Sequence, residues 1–234
     1  MEEIRQILAG LDWSPLFISI KTGIAATIVS FFLGIWAARK VLKAKAGLRA
    51  VLDGILTLPL VLPPTVAGFF LLLIFSTRRT VGSYLYTTFD IKIVQSWAGC
   101  VIAATVIAFP LMYRNARAAF EQVDVNYIYA GRTLGLSEWT IFRKVVIPVA
   151  GPGIASGTIL TFARALGEYG ATSMLAGNIL GKTRTMAVAI AAEVSAQNYD
   201  VAGFWVIVLV TIAFGFIFAI NIITMHGISK IQRW

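Results

Sequence analysis

The sequence has little of the chemistry that enzymes and metal sites use. Its 234 residues include one cysteine, Cys100, and one histidine, His226, which lie far apart in the chain. A lone cysteine forms neither a disulfide framework nor a thiolate metal cluster. The long apolar runs contain no pair of carboxylates and no nucleophile beside a base. We therefore expect no catalytic residues, no metal site and no cofactor.

Charge is scarce as well. Only 13% of the residues are charged whereas 58% are hydrophobic, and the mean hydropathy is +0.81. This composition is typical of an integral membrane protein rather than a soluble domain. The formal net charge of +9 comes from basic residues in short loops between apolar runs. That arrangement is typical of topology signals, so we expect the lipid bilayer, and no nucleic acid, as a partner.

Five apolar runs are long enough to cross about 30 Å of hydrocarbon as helices. They cover residues 16–38, 51–75, 94–113, 145–166 and 201–225, within a single transmembrane domain of residues 1–234. No basic leader precedes the first run, which is longer than a signal-peptide core of about 7 to 15 residues, so we interpret it as a retained span. A further apolar segment, 185–196, is too short to span and is expected to form a partial or re-entrant helix.

The distribution of positive charge predicts the orientation. An odd number of crossings places the two termini on opposite sides of the membrane. Lysine and arginine are more frequent in the loop after the first run, in segment 114–144 and in the tail than in the other loops. The positive-inside rule therefore predicts an external N-terminus and a cytoplasmic C-terminus.

The stretch NYIYAGRTLGLSEWTIFRKVVIP, residues 126–148, interrupts this apolar pattern. Its periodicity predicts two short amphipathic helices joined by a tight turn. Gly135 is placed to end the first helix, and Ser137 to cap the second. On pattern alone, such an element can lie on the membrane, connect two spans passively, or dock into a groove of another protein.

A resemblance distinguishes between these three roles. The order YAG, three residues, G, nine residues, then VVIP resembles the E-A-A, G, I-x-L-P loop of permease subunits of ATP-binding-cassette (ABC) importers. Two residues depart from that pattern, since Tyr129 replaces the usual Glu and Gly131 the second Ala. The resemblance implies that loop 124–144 docks on a cytosolic ATPase through Tyr129, Ala130, Gly131, Arg132, Thr133, Leu134, Gly135, Leu136 and Ser137.

Further segments extend the resemblance along the chain: LPLVLPPTVAGFFLLL, RRTVGSYLY, FARALGEYGAT and GNILGKTRT are similar to permeases for molybdate and sulfate. The segments PLVLPP and KTRT are closer to the molybdate type. The resemblance implies an all-α integral membrane protein with a type I ABC importer-like transmembrane domain, in the inner membrane of a prokaryote. It also implies a homodimer, separate ATPase subunits, an extracytoplasmic anion-binding protein, and import of molybdate, with tungstate or sulfate as alternatives.

Several residues are candidates for a solute path. Pro63 and Pro64, together with Pro59, prevent a straight helix in the second run, and kinked helices are tolerated where they line protein cavities. Thr57 and Thr65 are candidate lining hydroxyls. Arg164 and Glu168, four residues apart, share one helical face near the end of the fourth run. They are interpreted either as a structural ion pair or as part of an outer gate.

Two other function classes fit the sequence less well. An ion-coupled secondary transporter often has internal repeats and buried titratable groups, and neither is evident here. An intramembrane enzyme needs the nucleophiles or ligand clusters that this chain lacks. The chain also lacks the G-x-x-x-x-G-K-[ST] phosphate loop, so ATP hydrolysis is expected in a partner subunit.

Overall fold

The part of the chain that the structure describes is built from helices. The computed structural model describes residues 11–231, with side chains for residues 11–218 and 222. His226 lies outside the described side chains. No strand occurs between residues 11 and 231, in agreement with the predicted all-α class. The helices are α1 (Ser14–Leu42), α2 (Ala46–Val61), α3 (Pro64–Phe75), α4 (Thr80–Phe89), α5 (Trp97–Glu121), α6 (Val125–Thr133), α7 (Glu138–Leu166), α8 (Gly170–Leu175), α9 (Met186–Ser195) and α10 (Tyr199–Ile231).

Local sequence signals set where several helices begin. Pro15 lies in the first turn of α1, where a missing N–H removes no helical hydrogen bond. Ser96 caps α5, because its hydroxyl accepts a hydrogen bond from the Gly99 N–H. Asp124 caps α6 and Ser137 caps α7 with equivalent side-chain bonds. These helix starts are therefore encoded locally.

Helices α1, α5 and α7 pack closely because small residues lie between them. A Cβ added to Gly153 would lie 2.6 Å from the Cβ of Ala119, and one added to Gly157 would lie 2.7 Å from the Cβ of Asn115. Real side chains do not approach so closely, so glycine is what allows α7 to approach α5. The largest buried cluster lies between these three helices and α6.

Helices α1 and α5 run in the same direction. Near their starts, the Trp97 indole N–H donates to Thr22 Oγ1 over 3.0 Å. Near their ends, Val41 and Phe120 belong to one buried cluster. The chain must therefore cross back between them, through the segment that contains α2 and α3.

The remaining long helices complete five crossings. Helix α7 starts beside the end of α5, where the rings of Phe120 and Phe142 lie 5.5 Å apart. Helix α10 starts beside the start of α1, where Trp13 contacts Trp205 edge-on. Four helices are long and apolar enough to span a membrane, and the bent pair α2–α3 supplies a fifth crossing. The predicted short helix in segment 185–196 is present as α9.

The second predicted span is not one helix. It is divided into α2 and α3, whose axes differ by 109°. Helix α2 ends at Val61, and Pro63 and Pro64 follow in extended and first-turn positions. Adjacent prolines remove two backbone donors and disfavour helical geometry in the residue before each, so the bend lies at this pair. Pro59, by contrast, is accommodated within the last turn of α2.

The prediction of a separate second short helix after Gly135 is wrong. The helix that Ser137 caps continues into the fourth span without a break, as α7. Pro148 does not interrupt it, because residues Phe142–Val146 form a π-helical segment just before the proline. A π segment widens the turn and relieves the clash between a proline ring and the preceding carbonyls.

Candidate functional site

The loop between α5 and α7 is folded by its own capping groups. Asp124 Oδ1 accepts a 2.8 Å hydrogen bond from the Asn126 N–H, and this starts α6. After α6 ends, Gly135 adopts a φ of +71°, a conformation that favours glycine. Ser137 Oγ then accepts a hydrogen bond from the Thr140 N–H over 3.2 Å. The predicted turn at Gly135 and cap at Ser137 are confirmed.

The packing of α6 on α7 explains the glycine at position 131. Gly131 is buried, and a Cβ there would lie 2.9 Å from Cγ1 of Ile141, whose side chain is fully buried in the core. An alanine would therefore displace Ile141. Glycine at position 131, in place of the expected alanine, therefore allows this close contact between α6 and the first turn of α7.

The outer surface of the loop is apolar. Leu134 is 77% exposed and Trp139 57% exposed, and Tyr129, which precedes both in the sequence, is exposed as well. Arg132 and Glu138 form an ion pair of 2.7 Å across the turn. The hydrogen bond that Arg132 donates to Glu138 raises the pKa of Arg132 further above its ordinary value, so the guanidinium stays charged. The loop thus presents exposed apolar side chains beside a fixed charge pair.

A groove lies behind this loop. It has a volume of about 190 Å³ and is lined by the end of α1, by α6 and by the first turns of α7. On its α1 side, the Arg39 guanidinium lies 4.1 Å from the centre of the Phe142 ring and 5.0 Å from that of Trp139. These cation–π contacts join the loop to α1. Arg39 therefore connects the end of α1 to the first turns of α7.

Arg164 and Glu168 form the predicted ion pair near the opposite end of α7. Arg164 Nη1 lies 2.7 Å from Glu168 Oε2, and Glu168 is only 2% exposed. The other carboxylate oxygen of Glu168 accepts a hydrogen bond of 2.7 Å from the Ala171 N–H at the start of α8. A buried carboxylate needs such partners. Glu168 therefore joins the end of α7 to α8.

The structure brings the proline pair close to this carboxylate. A Cβ added to Gly170 would lie 3.0 Å from Pro64 Cβ and 3.1 Å from the Thr65 backbone nitrogen, so α3 begins directly against α8. Pro63 and Thr65 are exposed beside this contact. Of the predicted path residues, Pro63, Pro64, Thr65, Arg164 and Glu168 thus lie in one region of the molecule.

Thr57 does not belong to that region. It lines a different cavity, of about 430 Å³, between α2 and α5. Its hydroxyl donates a 2.6 Å hydrogen bond to the Asp53 carbonyl oxygen, which is a common local bond within a helix. Thr57 thus lies apart from Thr65, and its role in the path stays a prediction.

The same cavity contains a charged network that the sequence interpretation missed. Asp53 on α2 accepts a hydrogen bond from the Tyr113 hydroxyl and forms an ion pair with Arg117, both on α5. Arg117 Nε also lies 2.9 Å from Glu121 Oε1. The available signal is the single carboxylate, Asp53, near the N-terminal end of the second apolar run. Its partner Arg117 lies beyond residue 113, where the third span is predicted to end, whereas α5 continues to Glu121.

The titratable residues of the described chain do not form a metal site. Among the described residues, no group of three or more His, Cys, Asp and Glu side chains is placed to hold a metal ion. Cys100 is buried and unpaired with any other cysteine. The two features that stand out are therefore a loop with exposed apolar side chains and a broken span beside a buried ion pair.

Comparison with known proteins identifies the family. Residues 30–222 match the family described as binding-protein-dependent transport system inner membrane component. The molybdenum transport system permease protein ModB of Escherichia coli (strain K12) is 43% identical over 180 residues, which are 77% of this chain and 79% of that protein. The sulfate transport system permease protein CysT of the same strain is 31% identical over 204 residues, 87% of this chain and 73% of that protein.

The fold agrees with that identification. A crystal structure of a bacterial ABC transporter involved in the import of the acidic polysaccharide alginate superposes with a TM-score of 0.74 at 13% identity, covering 97% of this chain and 83% of that one. The chain therefore belongs to the family of binding-protein-dependent transport system inner membrane components, and its fold is that of ABC importer transmembrane subunits.

Proposed function

We propose that this chain is the membrane permease subunit of an ATP-driven importer for a tetrahedral oxyanion, with molybdate as the first candidate. The observation that carries the proposal is the 43% identity to a molybdenum transport permease over 79% of that protein. The lower identity of 31% to a sulfate permease supports the same class of anion and makes sulfate the second candidate.

The proposed assembly has several parts. Two copies of this chain, each a single transmembrane domain, form a homodimer with the path between them. ATPase subunits bind on the cytoplasmic side, and an anion-binding protein delivers the solute on the other side. The distribution of Lys and Arg supports an external N-terminus and a cytoplasmic C-terminus.

Energy enters this subunit mechanically. The exposed apolar side chains of loop 124–144, Leu134 and Trp139, support docking of that loop into a groove of the ATPase. Movement of the loop is passed to α1, α5 and α7 through the Arg39 contacts and the buried cluster behind them. No covalent chemistry takes place in the permease.

The broken span is the proposed moving part of the path. Helix α2 contains no buried residue, and its charged contact with α5 is the network of Asp53, Tyr113 and Arg117. Helix α3, on the other side of the bend, packs on α8. Glu168 joins α8 to the end of α7. We assign the pair Arg164–Glu168 a role in fixing the outer end of the path. Alternating access follows when α2 and α3 move differently relative to α7.

The test is uptake into liposomes that contain this chain with its ATPase and anion-binding protein. Internal molybdate is measured by elemental analysis, with and without ATP, and with tungstate or sulfate as competitors. Uptake that requires both ATP and the binding protein supports the proposal. Uptake that persists without ATP but disappears when an ion gradient is collapsed contradicts it, because that is the behaviour of a secondary transporter. If sulfate at equal concentration abolishes most of the molybdate uptake, sulfate is the preferred anion.

A further inference from the structure

A second cavity lies at the end of the bundle where α1 and α5 both begin. It has a volume of about 460 Å³, and its lining includes Phe17, Lys21, Gln95, Ser96, Trp97 and Lys182. These residues come from α1, from the start of α5 and from the loop between α8 and α9. The cavity is separate from the coupling loop and from the Arg164–Glu168 pair, neither of which contributes to its lining.

The charge of this cavity is positive. Lys21 and Lys182 are both exposed and reach it from different elements, and the described residues that line it include no carboxylate. Lys21 is held in place, because its Nζ lies 4.0 Å from the centre of the Trp97 ring. Trp97 is itself fixed by the hydrogen bond from its indole N–H to Thr22. One of the two cations is therefore positioned before any ligand arrives.

A third positive contribution comes from the backbone. Ser96 and Trp97 are the cap and first residue of α5, a helix of 25 residues, and both line the cavity. The N-terminus of a long helix carries a partial positive charge and attracts anions. Two ammonium groups and a helix N-terminus converge on one space, a combination that suits a phosphate group.

The other wall of the cavity is apolar and lies near the start of the first candidate span. Phe17 is 67% exposed, and Ile18 lies beside it. Lys21 is seven residues from the start of α1, about 10 Å along the helix axis at about 1.5 Å per residue. Tryptophan and lysine are both favoured at this depth, where an apolar body meets a polar surface. A ligand with a phosphate head and an apolar tail matches both walls.

We propose that this cavity binds the phosphate headgroup of an anionic phospholipid. The phosphate lies between Lys21 and Lys182 at the start of α5, and an acyl chain follows the exposed face of Phe17. The inference does not depend on which solute crosses the membrane, since no residue of the proposed path takes part. A free oxyanion could bind the same two lysines but would make no contact with the apolar wall. The experiment distinguishes a lipid headgroup from a free oxyanion.

The test uses the purified full-length chain in mixed micelles titrated with phosphatidylglycerol or phosphatidylcholine. Thermal stability and native mass spectrometry report binding. The variant Lys21→Gln/Lys182→Gln is compared with Arg78→Gln/Lys92→Gln, which removes two exposed cations that do not line the cavity. We expect phosphatidylglycerol to stabilise the wild type and the control variant, and the cavity variant to bind it about tenfold more weakly.

Three results would overturn the proposal. One is equal binding of phosphatidylglycerol by the cavity variant, and another is an equal loss in the control variant, which would indicate non-specific charge attraction. The third is equal stabilisation by inorganic phosphate or molybdate that competes with the lipid, which would assign the site to a free anion. The single variant Lys182→Gln guards against misfolding, because it leaves α1 and the Lys21 contact with Trp97 intact.

Discussion

Two apolar parts of this molecule differ sharply in how they are packed. Helices α1, α5 and α7 enclose the largest buried cluster, with glycines where they meet. The bent pair α2–α3 is equally apolar in sequence, yet α2 has no buried residue. Hydropathy shows that both regions belong in a membrane. What separates them is the adjacent pair Pro63 and Pro64, which breaks the helix, whereas the single prolines Pro110 and Pro152 are accommodated inside α5 and α7.

The difference has a functional meaning in the proposed importer. The packed region passes movement from the coupling loop without deforming, because close-packed cores shift as units. Helix α2 has no buried residue and so has fewer contacts to break, and it is the part proposed to change position. Its uncovered apolar face is also available to the second copy of the chain.

The strongest way to break the packed region is to add volume at its glycine contacts. Gly153→Leu should destabilise the chain by about 3 kcal/mol, because its side chain would overlap Ala119. Gly151→Leu is the matched control, since a Cβ at Gly151 meets nothing within 4 Å. Thermal unfolding in detergent, followed by the loss of monodisperse protein, is the measurement. Equal stability of the two variants would show that α5 and α7 are not in close contact.

The next largest loss of stability is expected at Glu168, which joins the end of α7 to α8. Glu168→Ala should lower the free energy of unfolding by about 2 kcal/mol, because the Arg164 and Ala171 donors both lose their acceptor. Glu168→Gln keeps an acceptor for the Ala171 N–H and should lose about half as much. Thermal stability in detergent measures both. A Gln variant as unstable as the Ala variant would indicate that the ion pair alone matters.

A smaller effect is expected in the loosely packed region. Asp53→Asn should destabilise the chain by about 1 kcal/mol, because it weakens the bond to Arg117 but keeps an acceptor for Tyr113. A double-mutant cycle with Arg117→Gln isolates the energy of the Asp53–Arg117 pair. In the single variant Asp53→Asn, Glu121 remains a partner of Arg117. Strict additivity of the two changes would contradict a direct contact between α2 and α5 at this point.

The smallest effect lies in the coupling loop. Ser137→Ala should lower the free energy of unfolding by about 0.5 kcal/mol, because the Thr140 N–H loses its acceptor. The loss is small because the rest of α7 is held by other contacts. Ser195→Ala, which removes only a bond to the Ala191 carbonyl, should be nearly neutral. Hydrogen exchange of the amides in the first turn of α7 is the sensitive measurement. Unchanged exchange in Ser137→Ala would show that the cap is not needed.

Docking by the loop has its own matched pair of variants. Leu134→Asp should reduce co-purification of the ATPase at least about tenfold, because a charge would enter an apolar contact. Leu180→Asp makes the same change at a residue of similar exposure, 61%, in the loop between α8 and α9. That variant should retain the ATPase. Equal retention by both would remove Leu134 from the docking surface.

Much of the architecture could be predicted from sequence because it depends on local chemistry. The apolar runs gave the crossings, and the turn at Gly135 and cap at Ser137 follow from conformational and hydrogen-bonding preferences. The Arg164–Glu168 pair follows from a spacing of four on one helix. The roles proposed for these residues in coupling and gating remain predictions.

The parts that sequence did not predict depend on distant contacts. The α2–α3 angle is set by the packing of α3 on α8, where a Cβ added to Gly68 would lie 2.7 Å from the Ala171 Cα. The continuity of α7 past Pro148 depends on a π-helical segment whose sequence has no distinctive signature. The Asp53–Arg117 pair joins residues far apart in the chain, and no periodicity within one helix identifies it.

In the proposed importer, loop 124–144 couples this chain to ATP hydrolysis. The most direct measurement is ATPase activity of the complex in liposomes, with and without molybdate-loaded binding protein, for wild type, Gly135→Pro and Gly47→Pro. Proline cannot adopt the φ of +71° at Gly135, whereas Gly47 lies in the first turn of α2, where proline is tolerated. We predict that the loaded binding protein stimulates hydrolysis in wild type and Gly47→Pro but not in Gly135→Pro, provided that all three assemble in the membrane. Equal stimulation of all three would contradict the claim and leave the loop as a passive connection between two spans.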